Sequence, residues 1–267
     1  MFSRLLKRNF WVFYDNLFKG IITNLILFAV IFGTFVILFM KMKLYAEAVV
    51  AMVFVWHLLA PAAMSYWGKV IMLRDKEGLF KELLAGIKLL SLKGGAVFVI
   101  NASAFALFYT AVQFYREMIS SYKIPAIILG GIGLWVMIVF LLMQIYILPI
   151  MALDEKKRVL ISYKKAALMV MTAPFSTIFT VVIFGYLLLF GYVGLGFVYG
   201  NKIPTIYALL SLFPIFLLPF ISLTYMYISQ LNAAILIYEK HNVFPDLKES
   251  WEDRKLMHIF KPWDHHK

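Results

Sequence analysis

Six long apolar stretches constrain this chain more than any other feature of its sequence. They cover about residues 20–40, 45–66, 95–115, 125–151, 170–198 and 205–230. Each is close to the roughly 20 residues that a helix needs to cross about 30 Å of hydrocarbon. Because a backbone in lipid must satisfy its own hydrogen bonds, the sequence predicts an all-α fold, a polytopic membrane helical bundle with six transmembrane helices.

The basic residues are unevenly distributed among the connections between these stretches. Of the 26 Lys and Arg residues, 21 lie before the first stretch, after the sixth, or on the second-to-third and fourth-to-fifth connections. Basic connections stay in the cytoplasm. We therefore expect three hairpins in a bacterial inner (plasma) membrane, with both the N and the C terminus cytoplasmic. The net charge of +12 then indicates a membrane surface and no nucleic acid.

Three basic segments before the odd-numbered spans have apolar residues at helical spacing. Residues 2–18, 79–92 and 155–170 each predict a cytoplasmic amphipathic interfacial helix that turns into the next span. The partner of these helices would be the anionic headgroups of the lipid bilayer. Their predicted interfacial basic residues are Arg4, Lys7, Arg8, Lys81, Lys88, Lys156, Lys157, Arg158, Lys164 and Lys165. The rhythm of interfacial helix and hairpin fits a unit used three times, although a shared topology alone would give the same rhythm.

The domain organisation follows from these spans. Residues 1–240 are predicted to form the six-helix transmembrane domain, and residues 241–267 a cytoplasmic C-terminal tail. Asp246 with Glu249 fits a capping box that would open a short amphipathic helix in this tail. A frayed basic segment is the alternative beyond residue 258.

No motif in the sequence indicates catalysis, a cofactor or a metal. The chain has no cysteine, and it lacks a glycine-rich phosphate loop and the common hydrolase signatures. His57 is the only ionisable side chain well inside a span, and Asn101 and Gln144 lie at compatible depths. These three residues predict a possible intramembrane polar patch, and the alternative is that they only hydrogen-bond between packed helices.

Three stretches resemble the YesL-like family of bacterial integral membrane proteins, a domain of unknown function numbered 624. The first is residues 14–19 (YDNLFK), which lead into a span with Asn24. The second is residues 147–154 (ILPIMALD), followed by a basic helix and residues 172–174 (TAP). The third is residues 217–219 (LLP), followed by Gln230 and Asn232. The family is often encoded beside carbohydrate ABC importers, so the resemblance implies a permease-like or accessory role.

Taken together, these features favour a non-enzymatic integral membrane protein, a transport-associated subunit. Its partner subunits would bind at the cytoplasmic segments 67–93, 152–169 and 240–267, which hold most of the exposed polar residues. Two alternatives are an autonomous small-solute or lipid carrier and a structural scaffold or assembly factor for a membrane complex. A carrier requires polar side chains from several spans to converge around His57.

Overall fold

A computed structural model describes residues 2–42, 45–73, 78–154, 158–175, 177–182 and 223–240. Within these ranges the chain is all-helical and contains no strand. The helices are α1 (Phe2–Asp15), α2 (Leu17–Met42), α3 (Tyr45–Leu73), α4 (Leu79–Ser121), α5 (Lys123–Leu153), α6 (Val159–Thr172) and α7 (Leu223–Lys240).

Four of these helices contain segments that are long and apolar enough to cross a membrane. The segments are Leu17–Met40, Ala46–Met72, Leu79–Ser121 and Lys123–Leu153. They overlap with the first four predicted spans, so the prediction of a helical, multi-pass membrane protein is confirmed. The predicted fifth span is described only to residue 182 and the sixth only from residue 223. The predicted tail, residues 241–267, lies outside the described residues.

Helix α4 differs from its prediction. Its 43 residues form one uninterrupted helix, about 64 Å long at 1.5 Å per residue. The expectation that residues 79–92 form a separate interfacial helix is therefore wrong. The part without charged side chains, residues 94–115, is about 33 Å long and matches the hydrocarbon thickness, so the charged N-terminal part extends the span beyond the hydrocarbon.

Helix α1, in contrast, is separate from the span that follows it. The chain turns at Asn16, whose N–H bonds the Phe13 carbonyl at 3.2 Å, and α2 begins at the next residue. The Phe13 ring packs back against Gly20, where an added Cβ would lie only 3.0 Å from it. The hydrogen bonds and the aromatic contact together fix the angle between α1 and α2.

The core lies where α3, α5 and α7 meet. Residues 60–68, 145–152 and 226–238 are buried on every side of their helices, and each of the three helices contacts the other two. Trp67, Tyr146 and Tyr227 are fully buried there. These three segments are therefore enclosed by other helices of this chain and do not face lipid.

Three peripheral segments pack on these three core helices in the same manner. Helix α1 packs on α7, the N-terminal part of α4 on α3, and α6 on α5. Each of these three packed pairs of segments is also joined by an ion pair near one end of the bundle. The ion pairs are Arg8 with Glu239 at 3.0 Å, Glu82 with Lys69 at 2.6 Å, and Lys165 with Asp154 at 3.2 Å. We call this end the charged end.

A polar residue follows each peripheral segment at nearly equal spacing. Asn24, Asn101 and Thr177 are 77 and 76 residues apart in the sequence. Asn24 accepts a hydrogen bond from the backbone N–H of Thr224 on α7, Asn101 bonds His57 on α3, and Thr177 bonds Tyr146 on α5. Each of these bonds joins the same pair of helices as the corresponding ion pair, or joins one of them to the segment that follows the other in the chain. This spacing is consistent with a unit used three times, which stays a prediction.

Candidate functional site

The candidate site forms where α3 and α4 approach most closely. Gly86 and Gly94 lie on the buried face of α4 with Leu83, Leu90, Val97 and Asn101. A Cβ on Gly86 would lie 3.0 Å from the Ala62 Cα, and a Cβ on Gly94 would collide with the His57 carbonyl oxygen. Only glycine allows the two backbones to approach this closely. This close contact between the backbones fixes the position of His57 relative to α4.

Pro61 explains why the His57 carbonyl is available for this contact. In a regular helix the N–H of residue 61 would donate to the carbonyl of residue 57, and proline has no N–H. Helix α3 nevertheless continues through Pro61. The Gly94 Cα hydrogen that replaces a side chain points at the freed oxygen, the geometry of a weak Cα–H···O hydrogen bond.

Four side chains from four helices meet about two turns further along α4, at Asn101. Asn101 Nδ2 lies 3.3 Å from His57 Nε2 and donates to Gln144 Oε1 at 2.8 Å. The Tyr163 hydroxyl donates to Asn101 Oδ1 at 2.8 Å. We call His57, Asn101, Gln144 and Tyr163 the His57 network. The three residues predicted as a polar patch are thus brought together around Asn101, and their function stays a prediction.

Backbone carbonyls anchor the edges of the His57 network. His57 Nδ1 lies 2.8 Å from the Val53 carbonyl oxygen, and Gln144 Nε2 donates to the Phe140 carbonyl at 3.2 Å. The Tyr163 hydroxyl lies 3.4 Å from the Val97 carbonyl. Burial raises the pKa of the Tyr163 phenol, so this group keeps its proton and acts as a donor.

The network restricts the chemistry that the site can perform. It contains one imidazole, two amides and one phenol, and no carboxylate or nucleophile to share acid–base work with His57. Among the residues that the structure describes, no group of three His, Cys, Asp or Glu side chains lies close enough to hold a metal. The site can bind a proton or hydrogen-bond a polar solute, and it ties α6 to three other helices.

A second polar cluster, the α1–α7 seam, consists of Arg8, Asn9, Ser229, Asn232 and Glu239. The Arg8 side chain is 0% exposed and bonds Glu239, whose side chain is 4% exposed. Asn9 donates to Ser229 Oγ at 3.0 Å and accepts from Asn232 Nδ2 at 2.8 Å. Buried polar groups are stable only when they are paired in this way, so the seam fixes α1 against α7.

The predicted interfacial basic residues divide into several groups. Lys81, Lys88, Arg158 and Lys164 are exposed, and Arg4, Lys7 and Lys165 are partly buried. Arg8 differs from its prediction because it is enclosed by protein and pairs with Glu239. Lys156 and Lys157 lie outside the described residues.

Three features of the site were not predicted from the sequence: Tyr163, Gly94 and the Arg8–Glu239 pair. Tyr163 lies in the apolar stripe of a predicted interfacial helix, and its hydroxyl was the available signal because a buried phenol needs a partner. Gly86 and Gly94 are two helical turns apart with Leu90 between them, a pattern typical of close helix packing in membranes. No sequence pattern indicates that Arg8 is buried and paired, since its partner Glu239 is 231 residues away.

Comparison with known proteins gives no family for this chain. No protein-family model matches it. No curated protein and no solved structure is significantly similar to it. The fold and the site therefore define only a class, a multi-pass helical membrane protein with a hydrogen-bonded polar network between its helices.

Proposed function

We propose that the chain is a non-enzymatic, transport-associated subunit of a bacterial inner membrane. It would have six spans in three hairpins, with the charged end and both termini in the cytoplasm. Four apolar helices and the clustering of ion pairs at one end support this arrangement. The resemblance to the YesL-like family is consistent with a permease-like or accessory role.

The observation that carries the proposal is the hydrogen bond from Tyr163 to Asn101. Tyr163 belongs to α6, one of the proposed cytoplasmic docking segments, and Asn101 lies within the charge-free part of α4. A partner that shifts α6 would therefore change the hydrogen bonds of His57 and Gln144. This is the link that a subunit needs between a docking surface and the interior of the membrane domain.

The proposed docking surface includes both basic and apolar exposed side chains on α4 and α6. Lys88 and Lys164 are exposed, and so are Leu84, Leu92, Leu160 and Leu168 beside them. The apolar side chains suit the acyl boundary and the cations suit anionic headgroups. Partner subunits would bind where the basic side chains face the cytoplasm, on segments 67–93 and 152–169; residues 241–267 of the third segment, 240–267, lie outside the described residues.

A charge reversal on α6 tests the docking surface. We expect Arg158→Glu with Lys164→Glu to abolish a stoichiometric complex that survives gel filtration in mild detergent. Arg116→Glu is the matched control, since Arg116 is also exposed but lies on the distant part of α4. A strictly monomeric, solitary native protein would contradict the subunit proposal.

Single cysteines test the topology, because the native chain contains none. With the charged end in the cytoplasm, Lys88→Cys should resist a membrane-impermeant maleimide in intact cells and react after lysis. Ser120→Cys, near the α4–α5 connection, should react in intact cells. Both side chains are exposed, so differences in labelling report sidedness, and the reverse pattern would refute the proposed orientation.

A second candidate function is an autonomous carrier of a small solute or lipid. The convergence of His57, Asn101 and Gln144 favours it, because a carrier needs a polar site in the membrane. For a carrier, His57→Leu, Asn101→Leu and Gln144→Leu together should abolish transport and any ligand-induced thermal shift. Unchanged transport and unchanged thermal shifts would eliminate this function and leave the subunit proposal intact.

A further inference from the structure

The direction of every hydrogen bond in the His57 network follows from one contact. His57 Nδ1 lies 2.8 Å from the Val53 carbonyl oxygen, which can only accept. Nδ1 therefore carries the ring proton of neutral His57, and Nε2 is left as an acceptor. Asn101 Nδ2, at 3.3 Å, supplies the donor.

The rest of the network is fixed in turn. The same Asn101 amide nitrogen donates to Gln144 Oε1, so Asn101 Oδ1 must face Tyr163 and accept from its hydroxyl. Gln144 then has its NH₂ group available, and this group donates to the Phe140 carbonyl. One arrangement of protons thus satisfies all four side chains when His57 is neutral.

A second proton on His57 is incompatible with this arrangement. Protonated Nε2 is a donor, and it would face the donor nitrogen of Asn101. Turning the Asn101 amide over places Oδ1 against the imidazolium and Nδ2 against the Tyr163 oxygen. Tyr163 then accepts from Asn101 and directs its own hydrogen to the Val97 carbonyl, already 3.4 Å away.

Gln144 must reverse as well. Its NH₂ group has to donate to the relocated Asn101 oxygen, which turns Gln144 Oε1 toward the Phe140 carbonyl. Two acceptors cannot bond, so the Gln144–Phe140 hydrogen bond is lost. The only covalent change is the Nε2–H bond that His57 forms with one proton from solvent.

We propose that His57 Nε2 is a proton-binding site and that Asn101 relays its occupancy to α6 through Tyr163. The ligand is a proton, taken from water, and the response is a change in how α6 is held. In the neutral form the Tyr163 hydroxyl donates to Asn101 Oδ1. In the protonated form it accepts from Asn101 and donates to the Val97 carbonyl of the α4 backbone. This inference depends only on the hydrogen bonds and holds whichever of the proposed functions is right.

The charged groups of the surrounding helices lie outside the network. The nearest in sequence are Lys93 on α4, Glu47 and Lys69 on α3, Lys164 and Lys165 on α6, Asp154 after α5, and Lys19 on α2. Lys69 pairs with Glu82, and Lys165 pairs with Asp154. On α7 the charged residues are Glu239, which pairs with Arg8, and Lys240. Within the described helices, the titratable groups of the network itself are His57 and Tyr163.

Spin labels at Lys88→Cys on α4 and Lys164→Cys on α6 can measure the response in lipid nanodiscs. Both side chains are exposed and the chain has no native cysteine. We expect the label-to-label distance to shift by on the order of 2 Å, as in other helix shifts, as the pH falls from about 8 to about 4, an interval that extends well below the ordinary pKa of imidazole. Nitrogen NMR of the labelled histidines, with His57→Gln to assign the resonance, should show Nε2 gaining a proton over the same interval.

Two variants separate the steps of the relay. Glutamine at position 57 can accept from Asn101 but binds no proton, so His57→Gln should abolish the distance change. Tyr163→Phe should preserve the His57 titration and abolish the distance change. The proposal is overturned if native His57 stays neutral throughout the interval down to about pH 4, or if the distance changes equally in either variant. The NMR titration uses the native chain, so a variant that fails to fold leaves the test decisive.

Discussion

Replacing Gly94 with alanine is expected to lower the free energy of unfolding by about 3 kcal/mol, at the upper end of the usual effect of overpacking. The added methyl group would collide with the His57 backbone carbonyl. No side-chain rotation can relieve a clash with backbone, so α3 and α4 must move apart. This movement also separates His57 from Asn101, and the loss would appear in denaturant unfolding in detergent micelles.

The neighbouring glycine provides a matched control. A Cβ on Gly95 would lie 3.6 Å from the nearest atom, Leu58 Cδ2, an ordinary contact distance. Alanine is a better helix former than glycine by up to about 1 kcal/mol, so Gly95→Ala should be neutral or stabilising. Equal destabilisation by the two substitutions would show that the backbones of α3 and α4 are not in close contact at Gly94.

The exchange Glu239→Gln is expected to destabilise the protein by about 3 kcal/mol, the lower end of the effect of breaking a buried ion pair. The Glu239 carboxylate bonds the fully buried Arg8 and lies 3.8 Å from Arg4. Glutamine keeps the shape of the side chain and removes its charge, so the guanidinium of Arg8 loses the carboxylate in a dry environment. Thermal unfolding in detergent would measure the loss.

The ion pair between Lys69 and Glu82 serves as the control for this experiment. Its Lys69 side chain is 39% exposed, and partly solvated pairs contribute at most about 1 kcal/mol. Glu82→Gln should therefore have a small effect. The double change Arg8→Met with Glu239→Leu should recover much of the loss, because apolar replacement of both partners removes the buried charges. A double variant as unstable as Glu239→Gln would contradict this account.

The four described spans could be predicted from the sequence because lipid imposes a simple rule on the backbone. A helix that crosses the hydrocarbon needs an unbroken run of uncharged residues. The runs between Lys19 and Lys41, and between Lys123 and Asp154, satisfy this rule without reference to any neighbour. For the same reason the bounds of α2 and α5 agree with the predicted spans to within a few residues.

The surroundings of the basic segments were harder to predict. Residues 79–92 have an apolar stripe, but the structure buries Leu83 and Leu90 against protein and exposes Phe80 and Leu84. Periodicity detects an apolar face without distinguishing a protein neighbour from lipid, since both are apolar. Helix α4 also continues through Lys93 and Gly94, because packing against α3 keeps this segment helical.

The sequence by itself determined the class of protein, the existence of the first four membrane helices, and the common depth of His57, Asn101 and Gln144. It could do so because the length of a span and the avoidance of charge in lipid are local properties. Only the tertiary structure decided that these three side chains hydrogen-bond, that Tyr163 joins them, and that Arg8 is buried against Glu239. These contacts depend on how far two backbones approach and on which face each helix turns inward. The side chains that bond one another lie 43 to 231 positions apart in the chain.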